Sequence, residues 1–162
     1  MTDDIKWVLQ ALASPQHLPE RKNLFCAKVD ASSMSLIATD GHRLHMLLAF
    51  TDCTEGYLTG EGQHISNQEY AERFGQFPEY ASKLPLYGKE NEYPLFKWEA
   101  SGKKGCLDAF FKGNTIRVTK KYLDEAVRGM KNPVMKVGET SNTPILFTEG
   151  RRYAVVMPHY LI

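Results

Sequence analysis

Ile5, Val8, Leu9 and Leu12 recur at helical spacing behind Asp3 and Asp4. That pattern predicts an amphipathic helix over 3–13, with acids at its positive end and with Pro15 and Pro19 stopping it. Residues 24–31 and 34–39 are short apolar-rich runs split by Ser32 and Ser33, which predicts a strand, a tight connection and a second strand. Asp40-Gly41 is a turn signal, because glycine takes the positive φ that a two-residue hairpin demands. The run 43–50 also fits a helix, but closure of the hairpin decides for a returning strand. From Thr51 to Gly113 the periodicity weakens. Asn67 to Phe74 fits a two-turn helix, Phe77-Pro78 opens a linker-like stretch ending near Pro94, and 95–98 and 106–111 fit strands. Order returns with a strand at 115–118, Thr119 as a cap and a helix over 120–131. Its apolar stripe is Tyr122, Leu123, Ala126, Val127 and Met130. Strands at 134–138, 144–148 and 153–157 follow, the last two joined at Glu149-Gly150.

The two ends share a pattern, a helix followed by short strands, without any residue-level repeat. This predicts one α+β domain over 1–162, built of two similar halves (about 1–76 and 77–162) with helices on one face of antiparallel sheets. A length of 162 residues suits one substantial core or two very small ones, with one domain the prior, and 43% hydrophobic content argues against whole-chain disorder. Lys and Arg number 20 against 19 Asp and Glu, which argues against a generic polyanion binder. Cys26, Cys53 and Cys106 are odd in number and lack metal or disulfide spacing, and Cys26, in an apolar run, reads as an inert buried thiol. An acidic start, unlike a signal peptide, and the absence of an 18-residue apolar run predict a soluble, reduced, cytoplasmic protein with no membrane partner.

No nucleophile elbow, phosphate loop or zinc-protease motif is present, and Gly60-Glu61-Gly62 is too short for a dinucleotide fingerprint. The sequence therefore predicts no catalytic residue and no cofactor. His42 and His45, with Asp40, are badly spaced for a metal, and His17, His64 and His159 are scattered. A peptide pocket needs an apolar floor and a few directional polar groups. Leu44, Val155, Val156, Met157 and Pro158 can supply the floor, with strand alternation favouring Val155 beside Met157. Thr39, His42 and Arg43 can supply the edge, and Gly41 permits a close approach. The same residues equally fit an ordinary hairpin turn and an ordinary core strand. On the helix from Lys120, positions 121, 124, 128 and 131 read Lys, Asp, Arg, Lys. With Lys120, and Lys6 on the first helix, they form a candidate phosphate-facing surface, or simply a solvated one.

Thr39-Asp40-Gly41-His42-Arg43-Leu44 resembles the signature in the middle domain of the bacterial DNA polymerase III beta sliding clamp. Phe77-Pro78-Glu79-Tyr80 with Leu84-Pro85 is similar to the passage from that family's middle domain to its last, and Val156-Met157-Pro158 is similar to its close. The three segments occur in family order. The resemblance implies a fold of βαβββ halves with helices lining a ring around duplex DNA. It also implies docking of short peptides from a DNA polymerase or other replication proteins, through the Thr39–Leu44 and Val155–Pro158 segments. A family subunit has three such domains and this chain has room for one, so a closed homo-oligomer would need about six subunits. His159-Tyr160-Leu161-Ile162 departs from the family's ending, which bears on peptide preference. A monomeric or dimeric adaptor that binds clamp-docking peptides without encircling DNA is the alternative.

Overall fold

The computed structural model describes residues 1–14, 16 and 20–161. Pro15, Pro19 and His17, which entered the sequence reading, lie outside the described residues, as does Ile162. The chain groups into two compact units, Met1–Lys83 with Arg151–Tyr153, and Leu84–Gly150 with Ala154–Ile162. The architecture is α+β with antiparallel sheets.

In the first unit, α1 (Asp3–Leu9) begins where Thr2 Oγ1 accepts the Ile5 N–H at 3.3 Å, with Asp3 and Asp4 in its first turn. It is shorter than the pattern over 3–13. Gln10 caps it and the chain turns through Ala11 and Leu12. Five strands follow: β1 (Cys26–Asp30), β2 (Ser35–Thr39), β3 (Arg43–Leu47), β4 (Gly56–Thr59) and β5 (His64–Ile65), in sheet order β5-β4-β1-β2-β3. Val29 pairs with Leu36, and Ile37 with Met46. The helix α1 packs on β1, β2 and β3, burying Trp7 and Val8.

A second apolar cluster lies under α2 (Asn67–Phe74), which Ser66 caps through the Glu69 N–H. Tyr70 stacks on Tyr57 with ring centroids 3.6 Å apart, and Phe77, Ile65 and Cys26 close the cluster. Burial pushes the Cys26 thiol up to about 11, so the sulfur stays protonated and inert at neutral pH. Phe77 and Tyr80 are therefore packed residues of this unit and not the start of a linker. Tyr80 donates its hydroxyl to Asp30 Oδ2 at 2.8 Å. Aromatic anchors spaced three apart on irregular backbone carry no period, so the sequence pattern could not show this.

The second unit contains β6 (Glu92–Tyr93), β7 (Glu99–Ala100), β8 (Cys106–Phe111), β9 (Asn114–Thr119), α3 (Lys120–Ala126), β10 (Val134–Val137), β11 (Ile145–Glu149) and most of β12 (Arg152–Val156). One sheet runs β7-β8-β9, and the other strands follow the order β12-β11-β10-β6. The segment from β9 to β12 has the βαβββ order. Phe111 pairs with Asn114 across a two-residue turn, and Lys112 and Gly113 both take positive φ, 47° and 80°, as a mirror-image hairpin turn requires. The expected strand at 95–98 is not formed. Phe96 instead packs on Phe111 at 5.3 Å and on Trp98 at 5.5 Å, and extended pairing starts at Glu99.

Candidate docking and DNA-contact residues

The β2–β3 hairpin of the first unit is held by its own polar groups. Asp40 Oδ1 accepts the His42 and Arg43 N–H groups at 2.9 and 3.1 Å, and its Oδ2 takes Arg43 Nε at 3.1 Å. Thr39 donates its hydroxyl to Arg43 O at 2.6 Å and accepts the Gly41 N–H at 3.1 Å. Arg43 Nη2 also donates to Gln10 O, tying the hairpin to the end of α1. The last pair of the hairpin is Thr39 with Leu44, so the connection is the four residues 40–43 and not two. Thr39 and Arg43 are thus buried and engaged within the hairpin, Leu44 is buried, and Gly41 and His42 are exposed. Gly41 has φ +91°, with open space where a side chain would stand. Arg21, from the irregular stretch before β1, clasps the turn. Its Nη1 donates to Asp40 O at 2.8 Å, and its Nη2 lies 3.2 Å from His42 Nε2. A guanidinium only donates, so His42 Nε2 is the acceptor.

In the second unit, Val155 and Val156 are buried on β12 while Met157 is 40% exposed. Pro158 and His159 follow, half-buried. The His159 N–H donates to Arg117 O at 2.7 Å, fastening the segment to β9. The His159 ring has Thr119 Oγ1 at 3.0 Å and Cys106 Sγ at 3.7 Å from Nε2, and Lys103 Nζ at 3.4 Å from Nδ1. An ammonium only donates, which makes Nδ1 the acceptor and places the ring proton on Nε2, toward Thr119.

Helix α3 is shorter than the 120–131 pattern and ends at Ala126. Leu123 and Ala126 of the apolar stripe are buried, whereas Tyr122, Val127 and Met130 are half-buried. Thr119 sits at the N-cap but its side chain makes no capping bond. Glu125 is buried, which its place off the stripe did not foretell. Lys120 is ion-paired with Asp124, and Lys121 is exposed. Arg128 and Lys131 lie beyond the helix, near Gly129, which has φ +77°. Glu149 accepts the Lys131 N–H at 3.0 Å, holding that turn. Lys6 of α1 pairs loosely with Asp3 at 3.7 Å.

Solved structures share this fold. The Helicobacter pylori beta clamp bound to DNA ligase peptide matches with a TM-score of 0.62 and 13% identity, over 98% of this chain and 63% of the clamp. The DNA polymerase sliding clamp of Pseudomonas aeruginosa matches with a TM-score of 0.56 and 18% identity, over 97% and 63%. The Bacillus subtilis sliding clamp gives 0.57 and 14%, over 98% and 61%. The fold is that of bacterial sliding clamps. At these identities the likeness is one of fold, and the chain spans under two thirds of each clamp's length. No family model and no curated protein matches the sequence.

Within this clamp fold the first unit carries Thr39, Gly41, His42, Arg43 and Leu44 on one hairpin, and the second carries Val155, Met157 and Pro158 on one short segment. Among the described residues no helix is long and apolar enough to cross a membrane. Sequence reasoning missed Arg21 and the anchoring of His159. Arg21 sits in a stretch with no periodicity to place it. His159 did stand out as a departure from the clamp ending, but only the fold brings Thr119, Cys106 and Lys103 to its ring.

Proposed function

We propose that this chain is a non-catalytic, clamp-like processivity factor that docks short peptides of replication proteins and self-assembles around duplex DNA. The observation that carries the reading is the clamp fold across 97–98% of the chain. It supports the docking role assigned to the sequence segments Thr39–Leu44 and Val155–Pro158, and the Helicobacter pylori clamp holds a DNA ligase peptide. In this reading Thr39 and Arg43 stiffen the hairpin from within, while Gly41 and His42 meet the guest. Met157 and Pro158 supply apolar contact, with Leu44 and Val155 as the buried backing of their own strands, and the half-exposed Met157 thioether adapts to different side chains. Lys120, Lys121, Arg128, Lys131 and Lys6 face phosphates without reading bases.

An adaptor or competitor that binds clamp-docking peptides without encircling DNA is favoured by two observations: Lys120 is engaged by Asp124, and formal net charge is only +1. Topology separates the two. A closed ring retains DNA with little intrinsic affinity, whereas an open binder relies on phosphate contacts that salt removes. Light scattering over a concentration series, followed by retention on nicked circular against linearised duplex, tests the proposal. A closed assembly of about six subunits, one domain per chain, that stays on circles and runs off linear ends is the expected result. A persistent monomer or dimer that leaves both DNAs alike gives the role to the adaptor.

A further inference from the structure

His159 fastens the segment after β12. His159 contributes a backbone bond to Arg117 O at 2.7 Å, and its imidazole enters a cradle formed by Thr119 of β9, Cys106 of β8 and Lys103 of the preceding turn. The cradle is itself rigid. Arg117 grips Asp108 across the β8–β9 pair with two bonds of 2.7 and 2.8 Å, and Gly105 O accepts the Lys120 N–H at 2.9 Å. Thr119 is spared for this task because α3 begins without its hydroxyl. Met157 and Pro158 lie immediately before this anchor, and Met157 is exposed although apolar. A flexible tail would lose conformational entropy on ordering around a guest, and a tail already fixed avoids that loss.

We propose that His159 is a positioning residue that pins the Met157–Tyr160 segment along β9 and so presents Met157 and Pro158 in a fixed pose for an apolar peptide. The inference rests on the peptide-docking reading and adds to it the residue that shapes the docking segment. The pin works through the neutral ring, Nε2–H toward Thr119 and the Nδ1 lone pair toward Lys103. Glutamine keeps a donor near the Nε2 position, and alanine keeps only the backbone bond.

Two readouts are needed. The first is the iodoacetamide alkylation rate of Cys106, buried at 8% exposure beside the His159 ring and followed by peptide mass mapping. The second is fluorescence anisotropy with a labelled copy of the DNA ligase peptide held by the Helicobacter pylori clamp. H159A is expected to raise the Cys106 rate and to weaken peptide binding, each by about tenfold, the scale of one or two lost hydrogen bonds. T119V, which removes the ring's hydroxyl partner and leaves the helix start intact, is expected to shift both by about threefold. H159Q stays near wild type in both. Cys106 as protected in H159A as in wild type overturns the pin. A faster Cys106 with unchanged peptide affinity overturns its link to docking. If wild type fails to bind the peptide, the docking reading falls by itself, and the alkylation rates still decide whether His159 pins the segment.

Discussion

His45 is fully buried on β3, its ring stacked on Trp7 with centroids 4.5 Å apart. Its Nδ1 lies 2.8 Å from Trp7 O, a pure acceptor, so Nδ1 carries the proton and the buried Nε2 keeps a bare lone pair. Burial is the main cause that pushes its pKa down to about 4; the Trp7 carbonyl opposes this, and the Arg43 and Arg152 cations add to it. The sign follows from proton counts. Between about 4 and 6.5 the unfolded chain holds a proton on this ring and the folded chain does not, so stability falls as pH drops through that window and levels off below it. The loss is on the order of 3 kcal/mol. Urea titrations at pH 7.5, 6 and 4.5 should show it, and H45F should flatten the part between 7.5 and 6, above the range where carboxylates contribute. The Asp40–Arg43 pair sets a second expectation, since its side chains are only 8% and 4% exposed. Removing the carboxylate in D40A takes the buried Asp40 counter-charge from Arg43 and the acceptor from two turn N–H groups, a loss of about 3–5 kcal/mol. D40N keeps the acceptor oxygen and should lose about half as much.

At the scale of elements, two glycines rank the constraints on the first sheet. Gly41 and Gly56 both have positive φ, +91° and +150°, but a Cβ on Gly41 meets open space, whereas one on Gly56 would lie 2.5 Å from the backbone oxygen of Ile65. Backbone strain alone makes G41A cost about 1 kcal/mol, while G56A also drives β4 away from β5 and should cost about 3 kcal/mol. Denaturant midpoints of the two variants check the order. The strands β1, β2, β3 and β8 were legible because they are runs bounded by turn residues. The two-residue strands β5, β6 and β7 were not, because pairing with a neighbour, and not any local pattern, makes them strands. Both α1 and α3 came out shorter than their apolar periodicity, since periodicity marks which side chains face the core and not where hydrogen bonding stops.

For the whole molecule, near-balanced charge limits what direct DNA contact can do. With net charge +1 and Lys120 already paired to Asp124, few phosphates can be neutralised. Binding to a linear duplex with free ends is therefore expected to be weak at low salt and lost by about 0.2 M, where counterion release no longer favours it. Filter binding across a salt series measures this, and tight, salt-resistant binding to free ends would contradict a topological mechanism. Asp4 ties the start of the chain to residues near its end. Partial burial raises its carboxyl, but the guanidiniums of Arg151 and Arg152, each 2.9 Å away, outweigh that and hold it below its ordinary value. Arg151–Tyr153 belong to the first unit although they lie far along the chain.

By itself the sequence determined the α+β class, the helical starts at Asp3 and Lys120, the Asp40-Gly41 turn and the two segments that resemble clamp docking motifs. The helical starts rest on an apolar period, with acids at the head of the first, and the turn on a positive φ, while the two segments rest on their likeness to a family's motifs. Tertiary structure alone decided what those segments' side chains are engaged with. Thr39 and Arg43 turn polar atoms to the hairpin, Phe77 and Tyr80 leave a nominal linker for a core, and the His159 ring meets Thr119, Cys106 and Lys103 from 40 to 56 positions earlier. Such contacts depend on distances across the fold, which no pattern along the chain encodes, because a side chain's partner is chosen by which elements the buried apolar surface brings together.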